Sequence, residues 1–242
     1  MIYQQLQNGT ICNGDCLELM KTIPDKFVDM ILCDLPYGTT VCKWDTIIPF
    51  EPLWKEYKRI IKDNGAIVLT ASQPFTSALV MSNVEMFKYC WYWKKPHTGQ
   101  LNCKKMPLKN IEEVCVFQNT INYNPQFSNG TPYAIVRKKY RGSECYGTQT
   151  DHTTISNGKR YPKQLLDFSE GNKIHPTQKP VALFEYLIKT YTNEGGLVLD
   201  NCSGSGTTTI ACINTNRKYI CMEMDKVYYQ KSIERVRNHK CA

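Results

Sequence analysis

Leu197-Val-Leu-Asp-Asn-Cys-Ser-Gly-Ser-Gly-Thr-Thr208 is the stretch that decides the fold. Three apolar residues end on an acid, Asp200. A glycine-rich turn follows, and Thr207 to Asn214 is spaced as a helix. Gly204 and Gly206 permit a tight turn and let a ligand approach the backbone closely. The helix start leaves amide N–H groups free for a polar ligand. Tyr219-Ile-Cys-Met-Glu223 reads as the next strand, and Glu223 ends it 23 residues beyond Asp200. An acid in that position of a nucleotide-binding βαβ unit accepts hydrogen bonds from ribose hydroxyls. A plain crossover whose glycines serve packing is the competing reading. The phosphate-loop pattern Gly-x-x-x-x-Gly-Lys-Ser/Thr is absent, and so is the third glycine of Gly-x-Gly-x-x-Gly. Both absences favour an adenosine-containing cofactor without a pyrophosphate.

A second stretch is Phe27-Val-Asp-Met-Ile-Leu-Cys-Asp-Leu-Pro-Tyr-Gly38. It reads as a buried strand that ends in a rigid loop. Pro36 fixes its own φ and pushes Leu35 toward an extended conformation. Asp34, the Leu35 carbonyl and the Tyr37 ring could together hold a flat ring that carries an amino group. An ordinary strand-to-loop turn is the alternative for these four residues taken alone.

Between the two stretches, strands and helices alternate. The spacing predicts helices over Pro49–Ile61 and Pro74–Met81, and strands over Ala66–Thr70, Phe87–Trp93 and Ile111–Phe117. A short strand leads into a helix over residues 11–23. An amphipathic helix follows Pro180, and another, Lys226–Asn238, closes the chain. This alternation argues for an α/β fold with a largely parallel sheet. Residues 119–172 break the pattern. They are rich in Asn, Gly, Thr, Tyr, Lys and Arg, the composition of a functional or disordered insertion.

A length of 242 residues suits one large domain, or a domain with an insertion. No apolar run is long enough to span a membrane, and the N-terminus lacks the features of a secretion signal, so a cytoplasmic protein is expected. Twelve cysteines are scattered without Cys-x-x-Cys, and none of the four histidines sits beside one at zinc spacing. Reduced, mostly buried thiols and no metal site are expected. The net charge of +8 suits a polyanionic partner.

Together the two stretches resemble the amino-group DNA methyltransferases that use S-adenosylmethionine. Asp34-Leu-Pro-Tyr37 resembles their catalytic Asp/Ser/Asn-Pro-Pro-Tyr motif, and Asp200–Thr208 resembles their Asp-Pro-Phe-x-Gly-Ser-Gly-Thr-Thr cofactor motif. His175-Pro-Thr-Gln-Lys-Pro180 is similar to the segment before the family's cofactor-side helix. The catalytic motif precedes the cofactor motif, the circularly permuted order of the β group. Two departures stand out. Leu35 replaces a proline whose backbone carbonyl is what matters. Asn201 and Cys202 replace Pro and Phe, and the missing aromatic is expected to loosen cofactor packing.

The resemblance implies a Rossmann-like methyltransferase domain over residues 1–242, with a mainly parallel seven-stranded sheet and helices on both faces. Residues 119–172 would be its inserted target-recognition region. It implies methyl transfer to the exocyclic amine of a base flipped out of double-stranded DNA, with adenine N6 favoured over cytosine N4 by the Asp at the motif head. Asp34, Leu35, Pro36 and Tyr37 would be catalytic. Asp15, Cys16, His175, Thr177, Lys179, Asp200, Cys202, Gly204, Ser205, Gly206, Thr207, Glu223 and Met224 would hold the cofactor. Lys94, Lys95, Lys104, Lys105, Arg137, Lys138, Lys139 and Arg141 are candidate DNA contacts, with the Trp91–Trp93 stretch beside the first pair. A homodimer fits the group. An NAD-type oxidoreductase, and a DNA-binding protein that has lost its cofactor, are the other classes left open.

Overall fold

A computed structural model describes residues 2–42, 45–95, 103–118, 122–139, 150–169 and 178–239. Arg141, His175 and Thr177 lie outside them. The chain divides into two compact units. The first comprises the residues up to Asn124 and from Gln164 onward; the second is Pro125–Lys163.

In chain order the first unit begins with β1 (Ile2–Leu6), β2 (Gly9–Asn13), α1 (Cys16–Met20), β3 (Val28–Asp34), α2 (Phe50–Ile60) and β4 (Ile61–Ala71). It continues with α3 (Phe75–Met81), β5 (Phe87–Lys94) and β6 (Ile111–Phe117). The second unit contributes β7 (Ser128–Asn129), β8 (Tyr133–Arg137), β9 (His152–Ser156) and β10 (Lys159–Arg160). The first unit resumes with β11 (Leu165–Asp167), α4 (Val181–Tyr191), β12 (Leu197–Asp200), α5 (Thr207–Asn214), β13 (Lys218–Glu223) and α6 (Lys226–Arg237).

The main sheet has the order β1-β2-β13-β12-β3-β4-β6-β5-β11. It holds nine strands among the described residues, not the seven expected. The two extra strands are its edges. β1 folds back antiparallel on β2, and β11 runs parallel to β5. Neither carries a clear apolar signature: β1 reads Ile-Tyr-Gln-Gln-Leu, and β11 has three residues. The pairings from β2 through β13, β12 and β3 to β4 are parallel, while β6 runs antiparallel to both β4 and β5. The interval 119–172 marked in the sequence therefore also takes in a strand of the main sheet, Leu165–Asp167.

Period-2 alternation sends the strand residues to two cores. Met30 and Leu32 pack with Leu187, Ile188, Ile210 and Ile233 from α4, α5 and α6. Ile31 and Cys33 pack on the other face with Met20, Leu53, Tyr57 and Leu79 from α1, α2 and α3. Strands buried on both faces explain why β3 and β12 read as continuous apolar runs. Trp91 and Trp93 also point into a core: their indole N–H groups donate to the Tyr191 hydroxyl (2.6 Å) and the Phe168 carbonyl (2.9 Å). The aromatic stretch beside Lys94 is thus structural, with only Tyr92 exposed. Among the described residues no helix is long and apolar enough to cross a membrane.

In the second unit β8 pairs with β9 and β10 with β7, both antiparallel. Phe127 packs on Tyr161 (centroids 4.8 Å apart), and the Arg160 guanidinium lies 4.7 Å from the centroid of Tyr133.

The β2–β13 pairing is close at Gly9, where a Cβ would lie 2.1 Å from the Tyr219 carbonyl oxygen. Gly9→Ala must push two adjacent strands apart. Thermal denaturation should show a loss of about 1–3 kcal/mol, the scale of an overpacked interior.

Candidate active site

The parallel strands β13, β12 and β3 lie side by side, so Glu223, Asp200 and Asp34 sit at the carboxyl ends of three neighbours. The chain leaves β3 toward β4 on one side and β12 toward β13 on the other. The gap between β3 and β12 is therefore the switch point at which open α/β sheets bind ligands. At about 4.8 Å per strand, the backbones at Asp34 and Glu223 are roughly 10 Å apart.

Asp34 is surrounded by donors. Its Oδ1 accepts from the Tyr37 hydroxyl (2.8 Å) and from the Thr70 hydroxyl. Lys179 Nζ donates to both carboxylate oxygens at 2.8 Å. Thr70 is the register partner of Asp34 on β4, which explains its reach. The Tyr37 hydroxyl oxygen also lies 2.9 Å from Thr70 Oγ1. Burial and the Asp34 charge hold the Tyr37 phenol well above its ordinary pKa, so it stays protonated and donates. The Tyr37 ring stacks on Phe75 (5.3 Å, 26°), and the Leu35 side chain is buried in the same core. Beyond Tyr37, Asp45 accepts from the backbone N–H groups of Gly38, Thr39 and Thr40 and locks the loop. Burial works against the Asp45 charge, but these donors outweigh it and lower its pKa.

Lys179 was expected at the cofactor. Its ammonium instead bonds Asp34, and it lies 3.3 Å from Glu112 Oε2. It is 6% exposed. Burial alone would lower its pKa, yet the carboxylates of Asp34 and Glu112 hold it above the ordinary lysine value. Glu112 is in turn bound by Lys95, 2.6 Å from its Oε1. Lys95 is thus tied to a partly buried acid, and Lys94 pairs with Asp167 at 2.9 Å. Lys104, Lys105, Arg137, Lys138 and Lys139 are exposed. Sequence reading missed Glu112 and Thr70. The available signals were an acidic pair, Glu112-Glu113, opening an otherwise apolar strand, and a threonine closing the strand after that of Asp34.

On the cofactor side, Gly204 (φ +50°) and Gly206 (φ +81°) both adopt left-handed backbone, which glycine tolerates best. A Cβ on Gly204 would meet nothing within 4 Å, so the space beside it is open. Glu223 accepts from the N–H of Gly204 and of Asp225, each at 2.8 Å. Burial raises its pKa, and those donors partly offset the rise. Met224 beside it is exposed. Ser203 Oγ is buried and makes no hydrogen bond among the described residues. Ser205 Oγ donates to Gln178 Oε1 at 3.1 Å. The Thr207 hydroxyl lies beside Arg235 (3.4 Å). Asp15 is the N-cap of α1, accepting from Leu17 and Glu18 N–H at 2.8 and 3.2 Å.

Asn201 and Cys202 fill their places differently from an aromatic. Asn201 Oδ1 accepts from the buried Tyr57 hydroxyl, and its Nδ2 faces the thiols of Cys16 (3.6 Å) and Cys202 (3.5 Å). Hydrogen bonding to Cys202 and burial push the Cys16 thiol up, so it stays protonated. Every described cysteine is a free thiol.

A chain with a glycine loop and a strand-end carboxylate side by side at one switch point has the layout of a ligand-binding α/β domain. Its membership is established by comparison. The model of the N6/N4 DNA methylase family matches residues 28–234, and the chain belongs to that family. The DNA adenine methyltransferase YhdJ of Escherichia coli is 26% identical over 246 residues, covering 94% of this chain and 82% of its own. Among solved structures, the cytosine-N4-specific PvuII DNA methyltransferase superposes with a TM-score of 0.68 at 19% identity, over 98% of this chain and 88% of that one. The M1.HpyAVI–SAM complex gives 0.64 at 24% identity, over 93% and 98%.

Asp200 is 2% exposed. It accepts from Cys202 N–H (3.0 Å) and from the Thr208 hydroxyl. Burial raises its pKa from 3.8 to about 7. The folded state then holds a proton that the unfolded chain has released, so stability falls as pH rises from about 4 to about 7. The span corresponds to roughly 4 kcal/mol at most. Asp200→Asn should flatten the melting temperature between pH 5 and pH 8 relative to wild type; an unchanged pH profile would refute the raised pKa.

Proposed function

We propose that this DNA amino-methyltransferase transfers a methyl group from S-adenosylmethionine to N6 of an adenine flipped out of duplex DNA. The observation that carries the reading is the Asp34 carboxylate at the end of β3, beside the open glycine loop at the end of β12. That loop fits a nucleoside cofactor. Space is open beside Gly204, Ser203 Oγ makes no hydrogen bond among the described residues, and Glu223 ends the adjacent strand. Glu223 would take the ribose hydroxyls, Asp15 and Cys16 would lie by the adenine, and the Gly204–Thr207 turn would hold the methionine end. When bound, the cofactor supplies an electrophilic methyl group on a sulfonium.

The chain's own residues prepare the amine. An exocyclic amine is a poor nucleophile because its lone pair is delocalised into the ring. Asp34 and the Leu35 carbonyl accept its two N–H bonds, which draws the nitrogen toward tetrahedral geometry and frees the lone pair. The amine nitrogen would take the methyl group as its bond to the sulfonium breaks and leaves a thioether, and the extra amine proton would pass to solvent water. Asp34 stabilises the positive charge that develops on the nitrogen. The amine is inaccessible inside a duplex, so the base would leave the stack, and Tyr37 would stack on it.

The Asp at the motif head and the likeness to the adenine enzyme YhdJ support adenine. The likeness in fold to the cytosine-N4 enzyme PvuII is the observation on the side of cytosine. Sequencing host DNA for modified bases after expression separates them: N6-methyladenine is expected, and N4-methylcytosine in its place would overturn the choice. Asp34→Ala should cut transfer by about 10²–10³-fold, the scale of losing one electrostatic stabiliser. S-adenosylmethionine affinity by calorimetry should stay at wild type in that variant. In Glu223→Ala it is the affinity that should fall.

The unit Pro125–Lys163 would read the target, with Arg137, Lys138 and Lys139 on phosphates. Its exposed Ile135, Val136 and Ile155 and its aromatic–cation pairs support such a surface. Each phosphate contact adds about 0.9 to the slope of log affinity against log salt. The triple alanine variant should therefore lower that slope by roughly 3, measured on duplex DNA by fluorescence anisotropy.

A further inference from the structure

The donors around Asp34 leave the substrate amine little room. A carboxylate offers about four lone-pair sites on two oxygens. Oδ1 already accepts from Tyr37, Thr70 and Lys179, and Oδ2 from Lys179. One Oδ2 site remains, but an amine seated there shares that oxygen with the Lys179 ammonium, and the positive charge developing on the amine repels that ammonium, which favours the departure of a charged donor. Lys179 is the one with a second anion beside it. Glu112 Oε2 lies 3.3 Å from its ammonium, is buried, and accepts no hydrogen bond among the described residues. Lys95 holds the other oxygen, Oε1, at 2.6 Å. A buried ammonium is costly without a carboxylate, and here a second one is within reach.

From this geometry, and resting on the methyltransferase reading above, we propose that Lys179 is a positioning residue that passes from Asp34 to Glu112 as the base enters. In the free enzyme it occupies the catalytic carboxylate. In the reactive complex it hydrogen-bonds Glu112 Oε2 and leaves Asp34 to the amine. The charge count of the pocket is unchanged, because the ammonium travels between two carboxylates. Lys179 Nζ also lies 5.5 Å from the centroid of the Tyr37 ring, so the same movement uncovers the aromatic surface. The preceding residue, Gln178, accepts from Ser205 of the cofactor loop, which ties the segment to the methyl-donor side.

The test is a double-mutant cycle on kcat, with tritiated S-adenosylmethionine and saturating unmethylated genomic DNA. Glu112→Gln keeps the shape but removes the second anionic seat; kcat should fall about tenfold or more, with KM for S-adenosylmethionine unchanged. Lys179→Met should also lower kcat. The double variant should be no slower than Lys179→Met alone, because without the ammonium the seat is idle. Effects that multiply would overturn the handover, and so would a wild-type rate in Glu112→Gln. If Glu112→Gln fails to fold, judged by circular dichroism, Lys95→Met loosens the same acid and should show the same dependence on Lys179. A wild type that binds S-adenosylmethionine yet methylates no DNA would sink the parent reading. An active wild type with multiplying effects would sink the handover alone.

Discussion

The site depends on one strand pairing. Val198 and Leu199 of β12 lie beside Met30 and Ile31 of β3, joining segments more than 160 residues apart in the chain. Before that pairing forms, the acid of the second motif and the acid of the first belong to unrelated parts of the sequence. After it forms, both stand at the carboxyl ends of neighbouring central strands, with the helices leaving to opposite faces. The two cores then follow from the alternation of β3 itself, Met30 and Leu32 to one layer, Ile31 and Cys33 to the other.

Around Asp34 the governing physics is charge in a partly dry place. Two carboxylates and two ammonium groups alternate there: Asp34, Lys179, Glu112 and Lys95. No member could be buried without the next, because an unpaired charge is far more costly there than at the surface. Lys179 also sits just before α4, where the helix dipole disfavours a cation. The two acids offset that penalty.

Much of this was legible in the sequence. Helix α5 and strands β6 and β12 fall on the residues that the apolar spacing and the glycines marked, because buried parallel strands and Gly-bounded helices leave strong local signals. The edge strands did not show. β1 is glutamine-rich and β11 is three residues long, and each is made a strand by its neighbour rather than by its own pattern. The motif acids were legible, but the partners of Lys179 were not. A resemblance assigns a residue to a neighbourhood, while which of two nearby anions its ammonium meets depends on the distances across β3, β6 and the start of α4. Asn201 and Cys202 looked like losses on paper. In the structure the amide is built into a network with Tyr57 and Cys16, so the position is polar and filled rather than merely lacking an aromatic.

The anchoring of Asn124 and Gln164 has a consequence for how the protein can change. Asn124 bonds the end of α4 through its backbone N–H to the Thr190 carbonyl (2.7 Å) and through its side chain to the Thr192 carbonyl (3.2 Å). Gln164 accepts from Tyr92 N–H at 2.8 Å, and its side chain donates to the Cys90 carbonyl at 3.1 Å. The chain thus departs and returns through two clamped residues. Closing a loop costs only about 0.6 kcal/mol more for each doubling of its length. The segment between the clamps can therefore lengthen, shorten or be exchanged without a large thermodynamic penalty to the sheet.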